Sequence, residues 1–259
     1  MFGTYFYHKR VRTAVSVFGS LFNNLYVLRQ NSAGEVISQV KCPLSYAPKR
    51  NFIERLEEMR NGEDDERTVA IKLPRMSFEI ASMNYDATRQ LPKTNYFSNA
   101  LSGDSNKRNK FLTSVPYDIS FELNIYAKSQ DDALQIVEQI LPYFSPQYTI
   151  SVKPFGSEYP EIKEDVPISL SSVSFSDNFE GAIGDRRTII YTLTFNMKIS
   201  FYGPETQGSV IREVNNNIYL MMNDSDQFQY NAIVTPTPTG VSVDSDYGFS
   251  VVHSDVKYE

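Results

Sequence analysis

The chain contains very few of the side chains that usually carry catalysis or bind metals. It has one cysteine, Cys42, and two histidines, His8 and His253, among 259 residues. A single thiol forms neither an internal disulfide nor a thiolate metal cluster, and a lone cysteine fits folding in a reducing compartment. Neither histidine belongs to a motif with a nucleophile and an acid, so we interpret both as surface or boundary residues. We therefore expect no enzyme activity, no metal and no cofactor.

Long hydrophobic runs and a surplus of basic residues are also absent. The stretch 14–28 leans apolar but is interrupted by Ser16, Ser20, Asn23 and Asn24, which argues against a membrane span. No signal peptide precedes it, so we expect a cytosolic protein when made. The formal net charge is −6 and the pI is about 5.1. Such an acidic chain is a poor candidate for nonspecific nucleic-acid binding, which needs Lys and Arg against phosphates.

Three short motifs look like parts of ligand sites, but each lacks the residues that would complete it. Gly181 and Gly184 are followed by two arginines and not by the Lys-Ser/Thr of a phosphate loop. Segments 224–226 and 244–246 both read Asp-Ser-Asp, without the later Gly and bidentate Glu of a calcium loop. We interpret all three as turns or linkers.

Alternating apolar and polar residues predict long strands in two regions. Every second residue is apolar from Ile119 to Ile125 and again from Tyr191 to Phe201, the period of a half-buried strand. Aromatic residues, 17 Phe and 17 Tyr, supply much of the apolar content. Tyr is suited both to half-buried sheet faces and to protein interfaces. Shorter strands are predicted at 25–31, 35–42, 69–73, 76–80, 148–152 and 166–175, the last with a bulge or bend.

Apolar residues at helical spacing predict helices that pack on this sheet. The predicted helices span residues 8–25, 49–60 and 129–141. Ser129 is the expected N-cap of the third, and Asp131 and Asp132 lie where the positive end of the helix dipole favours carboxylates. Pro142 is expected to end or kink that helix near Leu141.

The predicted fold class is α+β, a mostly antiparallel β-sheet with helices packed on it. One domain is expected at 1–203, with a long polar loop at about 88–114 that orders only against a partner or neighbouring subunit. Residues 204–259 are expected to form a C-terminal extension, partly extended or flexible. Within it, 211–222 is predicted as an additional strand and 235–240, Thr-Pro-Thr-Pro-Thr-Gly, as an extended linker.

Several short stretches and one run of ten residues resemble a known protein family. The short stretches are Met1-Phe2-Gly3, Tyr5-Phe6-Tyr7, Tyr46-Ala47 with Lys49 and Phe52, Leu73-Pro74-Arg75, Asp131-Asp132, Arg186-Arg187 and Leu193-Thr194-Phe195. The unbroken run, Gln135–Phe144, is the most specific. In these residues the chain resembles the tail sheath stabilisers, or tail completion (tail terminator) proteins, of T4-like contractile-tailed bacteriophages, up to about residue 202.

This resemblance implies a tail-terminator-like subunit that assembles into a hexameric ring at the head-proximal end of a phage tail. The ring would cap the last sheath layer and the tail tube terminator protein, and it would offer a docking surface to neck and head-completion proteins. It implies a virion protein at the tail–neck junction, assembled in the host cytoplasm, without cofactor or catalytic residues. DNA would pass through the lumen without specific binding, which an acidic lining would suit.

The sequence leaves two alternative functions open and suggests one set of contact residues. A head-completion or neck connector protein would bind head components, although the run 131–144 argues against it. An enzyme or nucleic-acid-binding accessory protein would need a reactive cluster or a basic face. For interfaces we predict Arg10, Arg12, Arg186 and Arg187, because arginine is favoured where carboxylates are recognised in a planar geometry. The competing interpretation is that these arginines form salt bridges within the subunit or face water.

Overall fold

The computed structural model describes residues 5–31, 34–54, 73–101, 104–156, 159, 162–178, 188–222, 225–242 and 245–255. The chain divides into two compact units. The larger unit is Tyr7–Gln90 with Val115–Phe201, and the smaller unit is Met1–Phe6 with Leu91–Ser114 and Tyr202–Glu259. The predicted division into 1–203 and 204–259 differs from this grouping, because it assigns residues 1–6, 91–114 and 202–203 to the first part.

Strands greatly outnumber helices in the described residues. The two helices with both ends described are α1 (Arg10–Leu21) and α2 (Gln130–Ile140), and residues 49–54 are also helical. The strands are β1 (Tyr26–Gln30), β2 (Val36–Lys41), β3 (Leu44–Tyr46), β4 (Arg75–Tyr85), β5 (Tyr96–Leu101), β6 (Asp104–Leu112), β7 (Val115–Ala127), β8 (Gln147–Val152), β9 (Glu164–Asn178), β10 (Thr188–Phe201), β11 (Thr206–Ser209), β12 (Val214–Met222), β13 (Ser225–Thr237) and β14 (Gly248–Asp255).

A six-stranded sheet in the order β3-β4-β7-β10-β9-β8 forms the centre of the larger unit. Its neighbours pair antiparallel, apart from the short parallel pair β3–β4. The two predicted long strands lie side by side at the centre, in register from Val115 opposite Phe201 to Ala127 opposite Ile189. The predicted slip in 166–175 is confirmed as a register shift of β9 against β10 at Thr194.

One face of this sheet packs against α1 and α2 in a single apolar cluster. Phe18 of α1 is fully buried and stacks on Phe121 of β7, with ring centroids 4.4 Å apart. Phe22, Phe78 and Phe195 surround Phe18 at centroid distances of 5.0 to 5.4 Å. Burying one such side chain contributes about 1.5–3 kcal/mol, so this aromatic group fixes α1 on the sheet.

The opposite face of the sheet is covered at one end by the helical residues 49–54. Phe52 stacks on Tyr126 at a centroid distance of 3.6 Å, and both pack with Ile190. The hydroxyl of Tyr126 lies 3.0 Å from that of Ser77, so the buried phenol keeps a hydrogen-bond partner. The start of the predicted helix is thus confirmed. Its remainder, 55–60, and the predicted strand 69–73 up to residue 72 lie outside the described residues.

The prediction of a loop at about 88–114 is wrong. After a short 3-10 turn at Ala87–Arg89, this region forms the hairpin β5–β6, and β11 adds to it in the order β11-β6-β5. Phe97 and Phe111 stack at 4.9 Å across the hairpin. This stacked pair lies among many Asn, Ser and Lys residues, and β11 brings the sheet to the three strands that a small sheet needs for stability.

The prediction that the C-terminal residues are partly extended or flexible is also corrected. Strands β12, β13 and β14 form an antiparallel meander, which confirms the strand expected at 211–222. The predicted linker 235–240 is wrong at its start, because β13 continues to Thr237 and Pro236 pairs opposite Phe249. The residue before a proline is driven towards extended backbone, which is compatible with the end of a strand.

Candidate assembly surfaces

Arg10, one of the predicted interface residues, lies in a buried cluster at the start of α1. Its guanidinium pairs with the carboxylate of Glu164, and its Nε donates to the carbonyl oxygen of Ser200 at 3.0 Å. The same carboxylate accepts the backbone N–H of Ser200 at 3.0 Å. The cluster ties the first turn of α1 to strands β9 and β10. Arg10 thus forms a salt bridge within its own subunit, as one of the two interpretations expected.

The other predicted arginines lie in different surroundings. Arg12 is exposed on α1, two residues after Arg10. Arg186 and Arg187 lie outside the described residues. An interface role for these arginines stays a prediction, and the structure does not bring Arg10 and Arg12 together on one surface.

The family-like run begins in the second half of α2 and holds the hairpin β1–β2 through side-chain amides. Gln135 Nε2 donates to the carbonyl oxygen of Leu28 at 3.1 Å, and the Leu28 N–H donates to Gln135 Oε1 at 3.0 Å. Gln139 Nε2 donates to the carbonyl oxygen of Tyr26 at 2.9 Å. Along the outer edge of β1, these side-chain amides make hydrogen bonds of the kind that a neighbouring strand would make.

Strand β2 is the other edge of this two-stranded hairpin, and it is exposed on both sides. Ile37 is 69% exposed and Val36 is 56% exposed. In the part of the chain that the structure describes, no strand other than β1 pairs with β2. An exposed apolar edge strand favours association, so β2 is a candidate contact surface.

A second surface is a groove at the end of α1, which we call the α1–α2 groove. It has a volume of about 130 Å³. The described residues that line it are Leu21, Phe22, Leu25, Gln139, Ile140, Tyr143, Phe144 and Tyr148, all uncharged. Tyr148 belongs to β8, the last strand of the six-stranded sheet. The groove therefore lies beside an exposed strand edge.

The smaller unit carries a third surface around β14, the edge of the C-terminal meander. Phe249 is 73% exposed, and Tyr247, Val252 and Ile211 are exposed as well. A depression of about 230 Å³ beside it is lined in part by Arg108, Arg212, Pro236 and Phe249. Arg212 Nη1 donates to the carbonyl oxygen of Val241 at 2.7 Å. This surface combines apolar area with two guanidinium groups.

Three ionisable groups have shifted pKa values, each with a structural cause. Burial raises the pKa of the Cys42 thiol to about 12 and that of the Tyr126 phenol to about 12. Hydrogen bonds from Thr88 and Arg89 hold the pKa of the Asp86 carboxyl well below its usual range. The two raised values keep a thiol and a phenol neutral inside the core, and the third belongs to a turn cap. The raised values disfavour the thiolate of Cys42 and the phenolate of Tyr126, so neither group is activated as a nucleophile.

The two histidines make aromatic contacts in different units. His8 packs edge-on against Phe155 in the larger unit, with ring centroids 5.3 Å apart. His253 is hydrogen-bonded to the hydroxyl of Tyr230 in the smaller unit. Within the described residues, no three His, Cys, Asp or Glu side chains group in a way that could hold a metal ion. No described helix has the length and apolar character to cross a membrane.

Comparison with known proteins identifies the family. The T4-like virus Myoviridae tail sheath stabiliser model matches residues 5–256. The chain is 33% identical over 214 residues to the tail completion protein gp15 of Enterobacteria phage T4, which covers 79% of this chain and 74% of that protein. The family match continues past residue 202, where the resemblance visible in the sequence ended, and includes the β12–β13–β14 meander. The chain belongs to the T4-like virus Myoviridae tail sheath stabiliser family.

Proposed function

We propose that this tail sheath stabiliser acts as a hexameric ring at the head-proximal end of a contractile phage tail. The observation that carries the proposal is the family match over residues 5–256, in a family described by its stabilising effect on the sheath. The ring terminates the sheath and the tube and provides the docking surface for the neck and head. It is a structural component, without catalytic residues or a cofactor.

The surfaces of the individual units support an assembling protein. A cyclic ring uses heterologous contacts, in which one face of a subunit meets a different face of the next. The exposed edges β2 and β14 and the α1–α2 groove are three different surfaces of this kind. In a free chain such edges favour uncontrolled association, whereas in a closed ring they are paired.

The binding partners of the ring follow from its proposed position between the tail and the head. The sheath protein of the last ring and the tail tube terminator protein bind on the tail side, and neck or head-completion proteins bind on the head side. The net charge of −6 suits a lumen through which DNA passes without specific binding. The protein is made and assembled in the host cytoplasm and ends at the tail–neck junction of the virion.

Two measurements test this proposal in sequence. Light scattering gives the mass of the purified protein, and negative-stain images of the same sample are expected to show six-fold rings with a central hole. The protein is then mixed with tails assembled without it, and we expect it at one end of each tail and a sheath that resists shortening on storage. Binding to isolated heads but not to tails would contradict the proposal and favour a neck connector.

A further inference from the structure

We propose that the aromatic segment Tyr5–Tyr7 of one copy occupies the α1–α2 groove of the next copy, beside the open edge of β8. The inference rests on the ring proposed above and names one of its contacts. The segment and the groove are both uncharged, and they lie at opposite ends of α1.

The segment presents aromatic side chains before α1 begins. Tyr5 is 89% exposed and Tyr7 is 58% exposed. Residues 5–7 carry no charged side chain and are neither helix nor strand in the structure. Tyr combines a large apolar ring with a polar tip and loses little conformational entropy on binding, so exposed tyrosines of this kind are typical interface anchors.

The groove matches one such ring in size and polarity. A cavity of about 150 Å³ lined by apolar side chains accommodates benzene, and this groove has a volume of about 130 Å³. Phe22, Ile140 and Phe144 supply apolar walls, and the side-chain amide of Gln139 adds a polar group to the lining. The absence of charge in the described lining disfavours an acidic or basic partner segment.

The edge of β8 gives the backbone of the incoming segment a partner. In the described chain, β8 pairs only with β9, so its outer N–H and C=O groups face away from the sheet. Tyr148 lines the groove, and Ile150 and Val152 pack on the same apolar cluster, so this face of β8 continues the groove wall. An extended peptide added to such an edge makes main-chain hydrogen bonds and places alternate side chains over the groove.

The segment cannot reach the groove of its own chain. His8 is held against Phe155 and Arg10 is tied to Glu164, so the start of α1 is fixed. The three residues from His8 to Tyr5 extend over about 10 Å at most. Helix α1 has 12 residues and is about 18 Å long, and the groove lies at its far end. A neighbouring copy therefore supplies the segment, and this head-to-tail contact is of the type that closes rings.

Disulfide trapping between two different variants tests the contact directly. A Tyr5→Cys protein is mixed with a Tyr143→Cys protein, assembled and oxidised, because Tyr143 lines the groove and is exposed. The natural Cys42 is buried and stays in both chains. We expect a disulfide-linked dimer of the two variants. The matched control replaces Tyr143→Cys by Tyr85→Cys, an exposed tyrosine of β4 away from the groove lining, and we expect no such dimer.

A second variant measures the strength of the contact. Loss of one aromatic anchor weakens an interface by about tenfold or more, so Tyr5→Ala/Tyr7→Ala is expected to raise the dissociation constant of the ring by at least that factor. Tyr85→Ala, which removes an exposed tyrosine outside the three candidate surfaces, is expected to leave it unchanged. Circular dichroism and thermal unfolding of each variant confirm that the subunit is folded.

The outcomes separate this inference from the proposed function. If rings form normally in the Tyr5→Ala/Tyr7→Ala variant, the inference is overturned, while the proposed ring is still supported. The same holds if the Tyr5→Cys/Tyr143→Cys mixture yields no more disulfide-linked dimer than the mixture with the Tyr85→Cys control. If the purified protein is monomeric, the same trapping is done on tails to which it has been added. Absence of a ring both in solution and on tails overturns the proposed function and the inference together.

Discussion

The side-chain amide of Gln135 on α2 makes two hydrogen bonds with the backbone of Leu28 on β1, donating to its carbonyl oxygen at 3.1 Å and accepting its N–H at 3.0 Å. This is the hydrogen-bonding pattern of a neighbouring strand, provided here by one helical side chain. It connects the most family-like run of the sequence to a hairpin whose other edge, β2, is exposed.

Replacing this amide should loosen the hairpin before it affects the core. A net contribution of about 0.5–1.5 kcal/mol for each of the two hydrogen bonds predicts that Gln135→Ala lowers the free energy of unfolding by about 1–3 kcal/mol. Hydrogen exchange of the Leu28 amide should become faster, since its acceptor is removed. Gln39→Ala on β2 is the control, because Gln39 is exposed. Equal Leu28 exchange in the two variants would show that the amide does not hold the hairpin.

The buried pair at the start of α1 predicts a large loss of stability. Arg10→Ala removes the ion-pair partner of Glu164, a partly buried carboxylate that keeps only the N–H of Ser200 among the contacts described above, and breaking a buried pair typically costs about 3–5 kcal/mol. Arg12→Ala, two positions along the same helix and exposed, should change the free energy of unfolding by less than about 0.5 kcal/mol. Urea unfolding of both variants measures the difference. Similar small effects in both would mean that Arg10 is not held as the structure shows.

Many strands and helices of the larger unit could be predicted from the sequence, because each is marked by the spacing of apolar and polar residues within its own segment. The alternation in β7 and β10 marks two strands directly, and Ser129 with Asp131 marks the start of α2. The contact between Gln135 and Leu28 joins residues 107 positions apart, and no spacing rule identifies such a pair. The apolar spacing predicts the helix that contains Gln135, but it does not identify Leu28 as the residue that this side chain contacts.

The errors fall where apolar residues are few or turn formers are many. The hairpin β5–β6 has one stacked pair, Phe97 and Phe111, within a polar stretch, so its strand period is weak. Pro236 and Pro238 indicate a linker by composition, yet the backbone that proline favours is also that of a strand end. The arginine prediction used residue type alone, and residue type does not separate the buried Arg10 from the exposed Arg12.

The phenol of Tyr126 predicts a loss of stability at alkaline pH. Burial raises its pKa from 10.0 to about 12, so the folded state keeps the proton over a range in which the unfolded state releases it. Its stabilising contribution is complete below pH 10 and is lost as the pH rises through about 12. Urea unfolding between pH 9 and pH 12 should show this decline.

Tyr126→Phe serves as the comparison for this pH dependence. It removes the titrating group and the hydrogen bond to Ser77, so it should be less stable at pH 8 by about 1 kcal/mol. The gap between the two proteins should then narrow as the pH approaches 12. A gap that stays constant over the whole range would assign the alkaline loss to other groups.

Arg186 and Arg187 lie outside the residues that the structure describes, so the prediction about their role in assembly rests on the sequence. Two adjacent guanidinium groups suit recognition of carboxylates on a neighbouring subunit or partner, and a protein with net charge −6 offers many of them. Reversing both charges, Arg186→Glu/Arg187→Glu, should weaken ring formation or docking to tails while leaving the subunit folded. Light scattering and tail binding measure the two steps, and circular dichroism checks the fold. A fully assembled double variant would remove both arginines from the interface and leave the α1–α2 groove and the open strand edges as the surfaces to test.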